Sequence, residues 1–312
     1  GRSKHNIWEQ YDSMVQLHTI AGPGAPVAAV EVPDTRRACL LTMEAEPNKC
    51  RTDPYLGASE TMALSLRGLW IAGAEILGMT NCLNFASPEV PEKFYELEEC
   101  VRGLSDTCRA LDCPVVSGNV SLYNETASGQ IYPTPLVVSA GLISDRNARL
   151  GSGLAQKGDS LYLAGELTGS LGASRYQVMK EGKAAGKTVS PDHEKERAFR
   201  DRALKTAREK AASSGRAIAG GGLAVTIANE VIASGCGMSV QTDPPLSLEE
   251  VLFSEGGARA VYTVPKEKEK YFEEIWEGFP CTKIGSVGGE KLEWKDIFSI
   301  ELPKLKNAFM EG

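Results

Sequence analysis

Residues 115–126, VVSGNVSLYNET, join a strand to a polar corner. The first of them are β-branched and follow a proline, which predicts a buried β-strand. Gly118, Asn119 and Ser121 then place small hydrogen-bonding groups where that strand ends. The amide oxygen of Asn119 suits magnesium, Ser121 brings a hydroxyl, and Gly118 lets a ligand approach because it lacks a Cβ. A polar turn that closes a hairpin, with Asn124 as a turn residue, explains the same pattern. The residues alone leave both interpretations open.

The composition is that of a globular chain with room for two domains. Of its 312 residues, 42% are hydrophobic and 24% are charged, which is typical of globular proteins and suggests neither a disordered nor a fibrous chain. The net charge of -7 argues against nucleic-acid binding, because that binding depends on clustered Lys and Arg. No apolar run approaches the roughly 20 residues that cross a bilayer. We therefore expect neither nucleic acid nor membrane among the partners, whereas an anionic small ligand remains open.

The cysteines and histidines favour a reducing compartment. Eight cysteines are spread along the chain without a C-x-x-C pair, and most lie in apolar stretches. Buried free thiols in a cytoplasmic protein explain this pattern better than a disulfide framework. The histidines, His5, His18 and His193, are far apart in sequence, so neither a zinc site nor a histidine relay is predicted.

The first half of the chain alternates short strands with helices. Residues 27–32 and 38–42 flank a turn-like PDTRR and predict a hairpin. A helix is predicted over 59–77, followed by a short strand at 78–83. After Pro91, apolar residues recur at steps of three and four up to Leu111, with charged residues on the other face, which is typical of an amphipathic helix. The stretch TPLVVSAGLI predicts a further strand.

The second half follows a polar, glycine-bearing segment, SDRNARLGSGLAQKGD, whose composition is typical of a domain boundary. Strands are predicted at SLYLAGE, GMSVQT, RAVYTVP and CTKIGSV, and helices at 191–213 and 266–277. The stretch IAGGGLAVTIANEVIASG predicts a loop followed by a helix. The heavily charged helix at 191–213 is interpreted as a solvated surface helix. Strands and helices alternate in both halves with intervening hairpins, which favours two α+β domains over a purely parallel sheet.

Two further groups of residues could bind a ligand. The glycine-rich segments at 165–174 and 220–222 could hold a phosphate, the second directly before an apolar helix, although neither matches a known phosphate-binding motif and tight turns explain the glycines equally well. Four carboxylates could face a metal but could equally be solvated side chains. They are Glu44, Glu46, Asp53 and Asp112.

Four longer stretches carry a resemblance to a known family. They are WEQYDSMVQ, NCLNFASPEVPEKFYELEECVRGL, CRALDCPVVSGN and SGNVSLYNET. In this order they resemble the second half of the phosphoribosylformylglycinamidine synthases, the glutamine-dependent purine-biosynthesis enzymes whose large subunit is called PurL. The resemblance runs over about residues 8–287. It implies an α+β fold of two domains: a linker segment at 1–20, a PurM-like N-terminal domain at 21–146, and a PurM-like C-terminal α+β sandwich domain at 147–312.

The family reaction is the activity that this resemblance implies. These ATP-dependent carbon–nitrogen ligases activate the formamide oxygen of formylglycinamide ribonucleotide as an iminophosphate, and ammonia from a glutaminase subunit displaces it to give an amidine. In the full enzyme two such halves pack about a pseudo-two-fold axis, with ATP and substrate where they meet. The expected partners are therefore an N-terminal catalytic half, or a second copy of this chain, and a glutaminase.

The resemblance also implies roles for four residues. Gly118 and Asn81 would bind ATP, Asn119 would bind Mg²⁺, and Ser121 would contact the substrate. Asn81 stands where the family has an aspartate, so a charge is lost there. The stretches EAEPNKC and RAIAGGGLA replace the family's usual D-C-N-P-R and H-D-x-S-x-G-G-L-A, keeping glycines but losing polar groups.

The catalytic histidine and most magnesium carboxylates of the family are expected in the other half. No catalytic residue is therefore expected on this chain, which we expect to be inactive alone. One alternative is a non-catalytic half that scaffolds the catalytic half, with or without a structural nucleotide. Another is a homodimeric kinase-like enzyme of the same superfamily, which would need an acidic metal cluster of its own.

Overall fold

The computed structural model describes residues 2–127, 129–167, 170–243 and 245–311. The strands in these ranges are β1 (Thr19–Ala21), β2 (Ala28–Glu31), β3 (Ala38–Glu44), β4 (Glu75–Asn84), β5 (Val115–Ser121), β6 (Glu125–Thr126), β7 (Gly129–Gln130), β8 (Thr134–Ile143), β9 (Ser160–Ala164), β10 (Ser214–Ala217), β11 (Met238–Val240), β12 (Ala260–Val264), β13 (Cys281–Val287), β14 (Lys291–Trp294) and β15 (Phe298–Glu301). The α-helices are α1 (His5–Trp8), α2 (Pro47–Thr52), α3 (Pro54–Ile71), α4 (Pro91–Ala110), α5 (Arg175–Glu181), α6 (His193–Arg208), α7 (Gly222–Ser234), α8 (Leu248–Phe253), α9 (Glu269–Ile275) and α10 (Leu302–Glu311).

Each half of the chain builds one large mixed sheet. The N-terminal sheet has the order β1-β2-β3-β8-β4-β5, and the C-terminal sheet has the order β10-β12-β9-β13-β11-β14-β15. Most neighbours are antiparallel, but β4 pairs with β5 and β11 pairs with β14 in parallel. The predicted α+β class is therefore confirmed, as is the hairpin of β2 and β3.

Helix α3 begins and ends earlier than the sequence pattern predicted. Asp53 caps its N-terminus by accepting the Leu56 N–H at 2.9 Å, and Pro54 fits the first turn, which needs no backbone donor. Its C-terminus is set by Gly73, whose φ of +89° a residue with a Cβ rarely adopts. The apolar residues after Gly73 therefore belong to β4.

The burial of α3 explains why its pattern was hard to read. It packs on β3 and β8 on one side and on α4 and α6 on the other, so Met62, Leu66 and Trp70 are all fully buried. A helix that is covered all round shows no polar stripe. Each such side chain contributes about 1.5–3 kcal/mol relative to exposure.

Helix α4 confirms the amphipathic prediction. Cys100, Leu104 and Cys108 are buried on the side that faces α3. A Cβ at Gly103 would lie 2.2 Å from the Tyr55 carbonyl oxygen, so this glycine allows the two helices to approach closely.

Strand β5 corrects the prediction of a buried strand. It lies at the edge of the N-terminal sheet, and its side chains are exposed up to Val120, with Val116 at 69%. Strand β8, which is separated from β5 by β4, alternates strictly between buried and half-buried residues. The β-branched residues of β5 signal strand geometry, but which strand lies at an edge is decided by the topology.

Helix α6 corrects the prediction of a solvated surface helix, because one of its faces packs in the seam between the domains. Phe199 is fully buried, and Glu196 accepts bonds from Arg67 of α3, whose Nε lies 2.9 Å from Glu196 Oε2. Arg67 Nη1 also donates to Glu60 Oε1 at 2.8 Å. All three charged residues are at most 1% exposed.

These residues, here called the Arg67 triad, put two carboxylates on one guanidinium. Burial alone would lower the pKa of Arg67, but the charges of Glu196 and Glu60 outweigh it and raise that pKa. Burial alone would raise the pKa of Glu60, but the charge of Arg67 outweighs it and lowers that pKa. Burial raises the pKa of Glu196. Replacing one member of such a triad strongly destabilises the fold, because a buried charge is left without a partner. Helices of the two domains are thereby tied together.

All eight cysteines lie among the described residues as free thiols, some buried and some half-buried. Within the described ranges, no helix combines the length and apolar character needed to span a membrane.

Candidate functional site

The residues with predicted ligand roles lie together on β4 and β5. In the parallel register of these strands, Asn81 pairs with Gly118, Cys82 with Asn119, and Asn84 with Ser121. A Cβ at Gly118 would lie 2.8 Å from Asn81 Oδ1, so the glycine makes room for the asparagine side chain beside it. The structure thus brings the two residues with predicted ATP roles into contact.

The four residues divide between the two faces of the sheet. Asn81 lies opposite Val137, which is fully buried, and Cys82 lies opposite Leu136, which is half-buried. Directly opposite residues point to the same face, and successive residues alternate. Asn81 and Gly118 therefore belong to the face that the helices cover, whereas Asn119 and Ser121 belong to the other face.

We call that other side of the N-terminal sheet the outer face. Its side chains are largely apolar but only partly covered, with Met43 66% exposed and Val30 38% exposed. The remaining apolar members are half-buried; they are Leu41, Leu136, Val138 and Leu142. A contiguous apolar sheet face left open in this way is typical of an interaction surface.

Asn124 shapes the polar corner after β5. Its Nδ2 donates to the Phe85 carbonyl at 3.0 Å and to the Ser121 carbonyl at 2.7 Å, while Ser121 Oγ donates to Asn124 Oδ1 at 3.2 Å. Asn119 Nδ2 donates to Cys82 Sγ at 3.5 Å. Asn124 thus acts as a turn residue, as one interpretation of the sequence predicted, while Asn119 stays exposed on the outer face.

A magnesium ion fits this corner poorly on the chain alone. Mg²⁺ binds through one or two carboxylates together with waters and phosphates, whereas Asn119 and Ser121 supply only neutral oxygens. Across the described ranges, no three His, Cys, Asp or Glu side chains group so that they could hold a metal. Carboxylates from a second polypeptide would be needed here.

Of the four carboxylates that could have faced a metal, Glu44 and Glu46 lie near each other, but Asp53 and Asp112 do not join them. Asp53 caps α3, and Asp112 lies exposed at 82% with Arg200 3.9 Å away. Glu46 is buried, 3.2 Å from Lys49 and 3.6 Å from Arg175. Burial, and after it the charge of Glu46, raises the pKa of Glu44 to about 7.

The glycine-rich turn before α7 already holds a carboxylate of the protein itself. Gly221 N–H donates to Glu255 Oε1 at 2.7 Å, and Arg175 N–H donates to the same oxygen at 2.8 Å. Lys49 Nζ lies 3.6 Å from Glu255 Oε2. The side chain of Glu255 thus fills the position that the phosphate interpretation assigned to a ligand. In the other glycine-rich segment, Thr168 and Gly169 lie outside the described residues.

A cavity of about 380 Å³ opens between the domains, and the sequence patterns did not point to it. Glu44, Arg149 and Arg216 contribute its charged lining, and Leu64 and Ile71 contribute apolar walls. Arg149 belongs to the polar boundary segment and Arg216 to RAIAGGG, so both were visible in the sequence. Their convergence depends on how the two sheets pack.

The fold and the paired strands define the class of protein. Residues 25–143 match the family of AIR synthase related proteins, N-terminal domain, and residues 156–295 match the C-terminal domain of the same family. The chain belongs to the AIR synthase related family and carries both of its domains.

Within that family the chain is similar to PurL proteins. The chain is 36% identical to the phosphoribosylformylglycinamidine synthase subunit PurL of Anaeromyxobacter sp. strain Fw109-5, over 99% of this chain and 43% of that protein. Its fold matches that of T. maritima PurL complexed with FGAR, with a TM-score of 0.76 and 18% identity over 92% of this chain and 48% of the other. For T. maritima PurL complexed with ATP the TM-score is 0.72, with 17% identity over 93% of this chain and 47% of the other. The chain spans less than half the length of these PurL proteins.

Proposed function

We propose that this chain is one half, the second, of a phosphoribosylformylglycinamidine synthase of purine biosynthesis. The observation that carries the proposal is the similarity to PurL along 99% of the chain, together with its coverage of only 43% of the relative. As the working division we keep a linker at 1–20, an N-terminal domain at 21–146 and a C-terminal domain at 147–312.

The outer face is where we place the other half. Apolar side chains of β3 and β8 are left partly open there, and the polar pair Asn119 and Ser121 lies on the same face. Burial of such a face by a second sheet is favourable at roughly 25 cal/mol per Å² of apolar surface. A PurM-like partner half would cover the apolar strands and bring its own carboxylates beside Asn119.

In this proposal the joint site carries out an ATP-dependent amidine synthesis. Asn81 and Gly118 contact ATP from the helix-covered face, beside the exposed edge strand β5, and Ser121 contacts formylglycinamide ribonucleotide from the outer face. ATP therefore has to pass the edge of β5 to reach a Mg²⁺ for which Asn119 is one ligand and the partner half supplies the charged ligands. The reaction transfers a phosphoryl group to the formamide oxygen before ammonia from a glutaminase displaces it, so positioned charges matter more than covalent catalysis. The isolated chain is expected to be inactive, and the synthase is expected to work in the cytoplasm.

Calorimetric titration of the chain mixed with a separately produced first half tests the site, because the charged magnesium ligands are expected from that half. A non-hydrolysable ATP analogue with Mg²⁺ should release heat on binding, and Asn119→Ala should weaken the affinity by roughly tenfold, the loss expected for one metal-ligand contact. Asn307→Ala is the matched control, because Asn307 is exposed on α10. Equal affinities for all three proteins would remove Asn119 from the site.

A non-catalytic scaffold half is the second candidate, and one observation favours it. Glu46 and Lys49, in the stretch where the family usually has D-C-N-P-R, are buried and paired with each other rather than facing a ligand. If Asn119→Ala leaves the nucleotide affinity of the two combined halves unchanged, yet addition of the chain activates the first half, the chain acts as a scaffold. Activation that Asn119→Ala abolishes supports a direct role in the site.

A further inference from the structure

The C-terminal end of α4 brings two cysteines together. The helix ends at Ala110 with Leu111 as its cap, and Asp112 follows with a φ of +56°, in the left-handed region. The Cys113 N–H donates to the Cys108 carbonyl at 2.9 Å, and this bond turns the chain back over the last turn of the helix. This is the Schellman arrangement of a helix end, in which the side chains at these two positions commonly contact each other.

The backbone separation of this pair suits a disulfide. The hydrogen bond connects one Cα to the other through the Cα–N bond of Cys113, the 2.9 Å between N and O, and the carbonyl group of Cys108. With standard bond lengths, the two Cα atoms therefore lie no more than about 6.8 Å apart. Disulfides usually join Cα atoms that are about 4.4–6.8 Å apart. The turn thus holds Cys108 and Cys113 at a separation that a disulfide can bridge.

The two thiols are shielded but lie beside solvent. Both cysteines line a surface cavity of about 540 Å³, with Cys108 6% exposed and Cys113 3% exposed. Burial raises the pKa of Cys108 to about 11. Burial, and after it the charge of Cys108, raises the pKa of Cys113 to about 12, as expected for two neighbouring thiols. Both thiols are therefore protonated at neutral pH and react only slowly with an oxidant.

The last turn of α4 gives a reagent access to this pair. Arg109 and Asp112 line the same cavity with side chains that are 76% and 82% exposed. A helix end that faces solvent opens more readily than the core does, so local fraying exposes both thiols. The charge of Arg109 partly offsets the effect of burial on the pKa of Cys108. Cys108 is therefore the better nucleophile of the two.

We propose that Cys108 and Cys113 are a modification site, a dithiol that forms a reversible intramolecular disulfide by exchange with a small-molecule disulfide such as oxidised glutathione. The thiolate of Cys108 attacks one sulfur of the reagent, forms a mixed disulfide and releases one thiol. The thiol of Cys113 then loses its proton and displaces the second thiol as the bond between the two cysteines forms. Two electrons pass from the protein to the reagent, which is reduced to two thiols.

The cross-link would tie the end of α4 to the chain just before β5. Cys113 precedes the first residue of β5 by two positions, whereas the residues with predicted ligand roles lie further along that strand. In a reducing compartment such a disulfide is transient and forms only under oxidising conditions. The site does not rest on the synthase proposal.

The experiment treats the whole native chain with oxidised glutathione at pH 8, blocks the remaining thiols by alkylation, and digests the product with trypsin. Trypsin cleaves after Arg109, so the cross-link would join the peptides 103–109 and 110–146, each of which contains one cysteine. Mass spectrometry should detect this joined pair, and a reductant should separate it. The number of free thiols, eight before treatment, should fall by two.

Two variants test the order of the steps. Cys113→Ser removes the thiol that completes the exchange, so one glutathione should stay attached to Cys108. Cys236→Ser is the matched control, because Cys236 is a half-buried cysteine remote in sequence from this helix end. It should form the same cross-link as the wild type.

Three outcomes would overturn the proposal. They are a native chain that keeps all of its thiols while the urea-unfolded chain oxidises, a disulfide that maps to other cysteines, and a folded Cys113→Ser that gains no glutathione at Cys108. Circular dichroism shows whether the variant is folded. The peptide map of the wild type needs no variant and decides the matter even where Cys113→Ser unfolds.

Discussion

The seam between the domains and the outer face of the N-terminal sheet differ in which side chains they bury and which they expose. In the seam, charged side chains are buried and paired within the chain, as in the Arg67 triad. On the outer face, apolar side chains such as Met43 are exposed, and Asn119 and Ser121 have no charged partner among the residues that the structure describes. The Arg67 triad is paired entirely within the chain, whereas the outer face has the composition of a surface that another polypeptide covers. Four variants test this contrast, from the largest expected effect to the smallest.

Arg67→Ala should destabilise the protein most. It would leave Glu60 and Glu196 buried without their shared cation, which costs roughly 3–5 kcal/mol of unfolding free energy. Urea unfolding measures the change. The exposed pair Arg109 and Asp106 is the control, and Arg109→Ala should cost about 1 kcal/mol or less. Similar losses of unfolding free energy in both variants would mean that the buried triad contributes no more to stability than an exposed ion pair.

Met43→Asp should act on association and leave the fold intact. Met43 is 66% exposed, so the isolated chain should keep its stability within about 0.5 kcal/mol. Burying the new carboxylate under a partner half should weaken association by roughly 2 kcal/mol, or about thirtyfold. Analytical ultracentrifugation of the chain mixed with a first-half polypeptide measures the affinity of this association. Met179→Asp, at a site 72% exposed on α5, is the matched control and should associate normally.

Glu44→Gln should flatten the pH dependence of stability. The pKa of Glu44 is raised in the folded state to about 7 from 4.5, so the unfolded chain loses this proton first as the pH rises. Between pH 5 and pH 7 the folded state therefore binds more protons, and wild-type stability falls with rising pH. We expect Glu44→Gln to be more stable than wild type by about 1–2 kcal/mol at pH 8 and to differ little at pH 4. Denaturant titrations at each pH, with the exposed Glu277→Gln as control, check the sign.

Gly118→Ala should have the smallest effect on stability. The new Cβ would lie 2.8 Å from Asn81 Oδ1, but that atom ends a flexible side chain that can move. A loss of about 1 kcal/mol or less is expected. Combining it with Asn81→Ala should recover most of the loss, and a double-mutant cycle measures the coupling. Additive losses would show that the two side chains do not meet.

Local patterns predicted much of the fold. The amphipathic period after Pro91 predicted α4, and the turn-like PDTRR between two apolar runs predicted the β2–β3 hairpin. The bounds of α3 could not be predicted in the same way, because a helix buried on every side carries no polar stripe. The exposure of β5 and the buried face of α6 were missed, since both depend on which elements pack beside them.

The candidate site divides in the same way. Gly118, Asn119 and Ser121 stood out because small polar residues followed a strand, and Asn81 entered only through the resemblance. Nothing in the spacing of Glu255 from Gly221 indicated that this carboxylate would fill the glycine-rich turn. Arg149 and Arg216 are 67 positions apart in the numbering of the chain, and no periodicity joins them.

By itself, the sequence determined the α+β class, the main helices and strands, and the family, because strand propensity, helical periodicity and motif identity are local properties of the chain. The tertiary structure alone decided which strand is the edge, which face of the N-terminal sheet stays open, and which charges meet in the seam. Those outcomes depend on the distances between residues that are remote in sequence, and only the packing of the two sheets and their helices sets them.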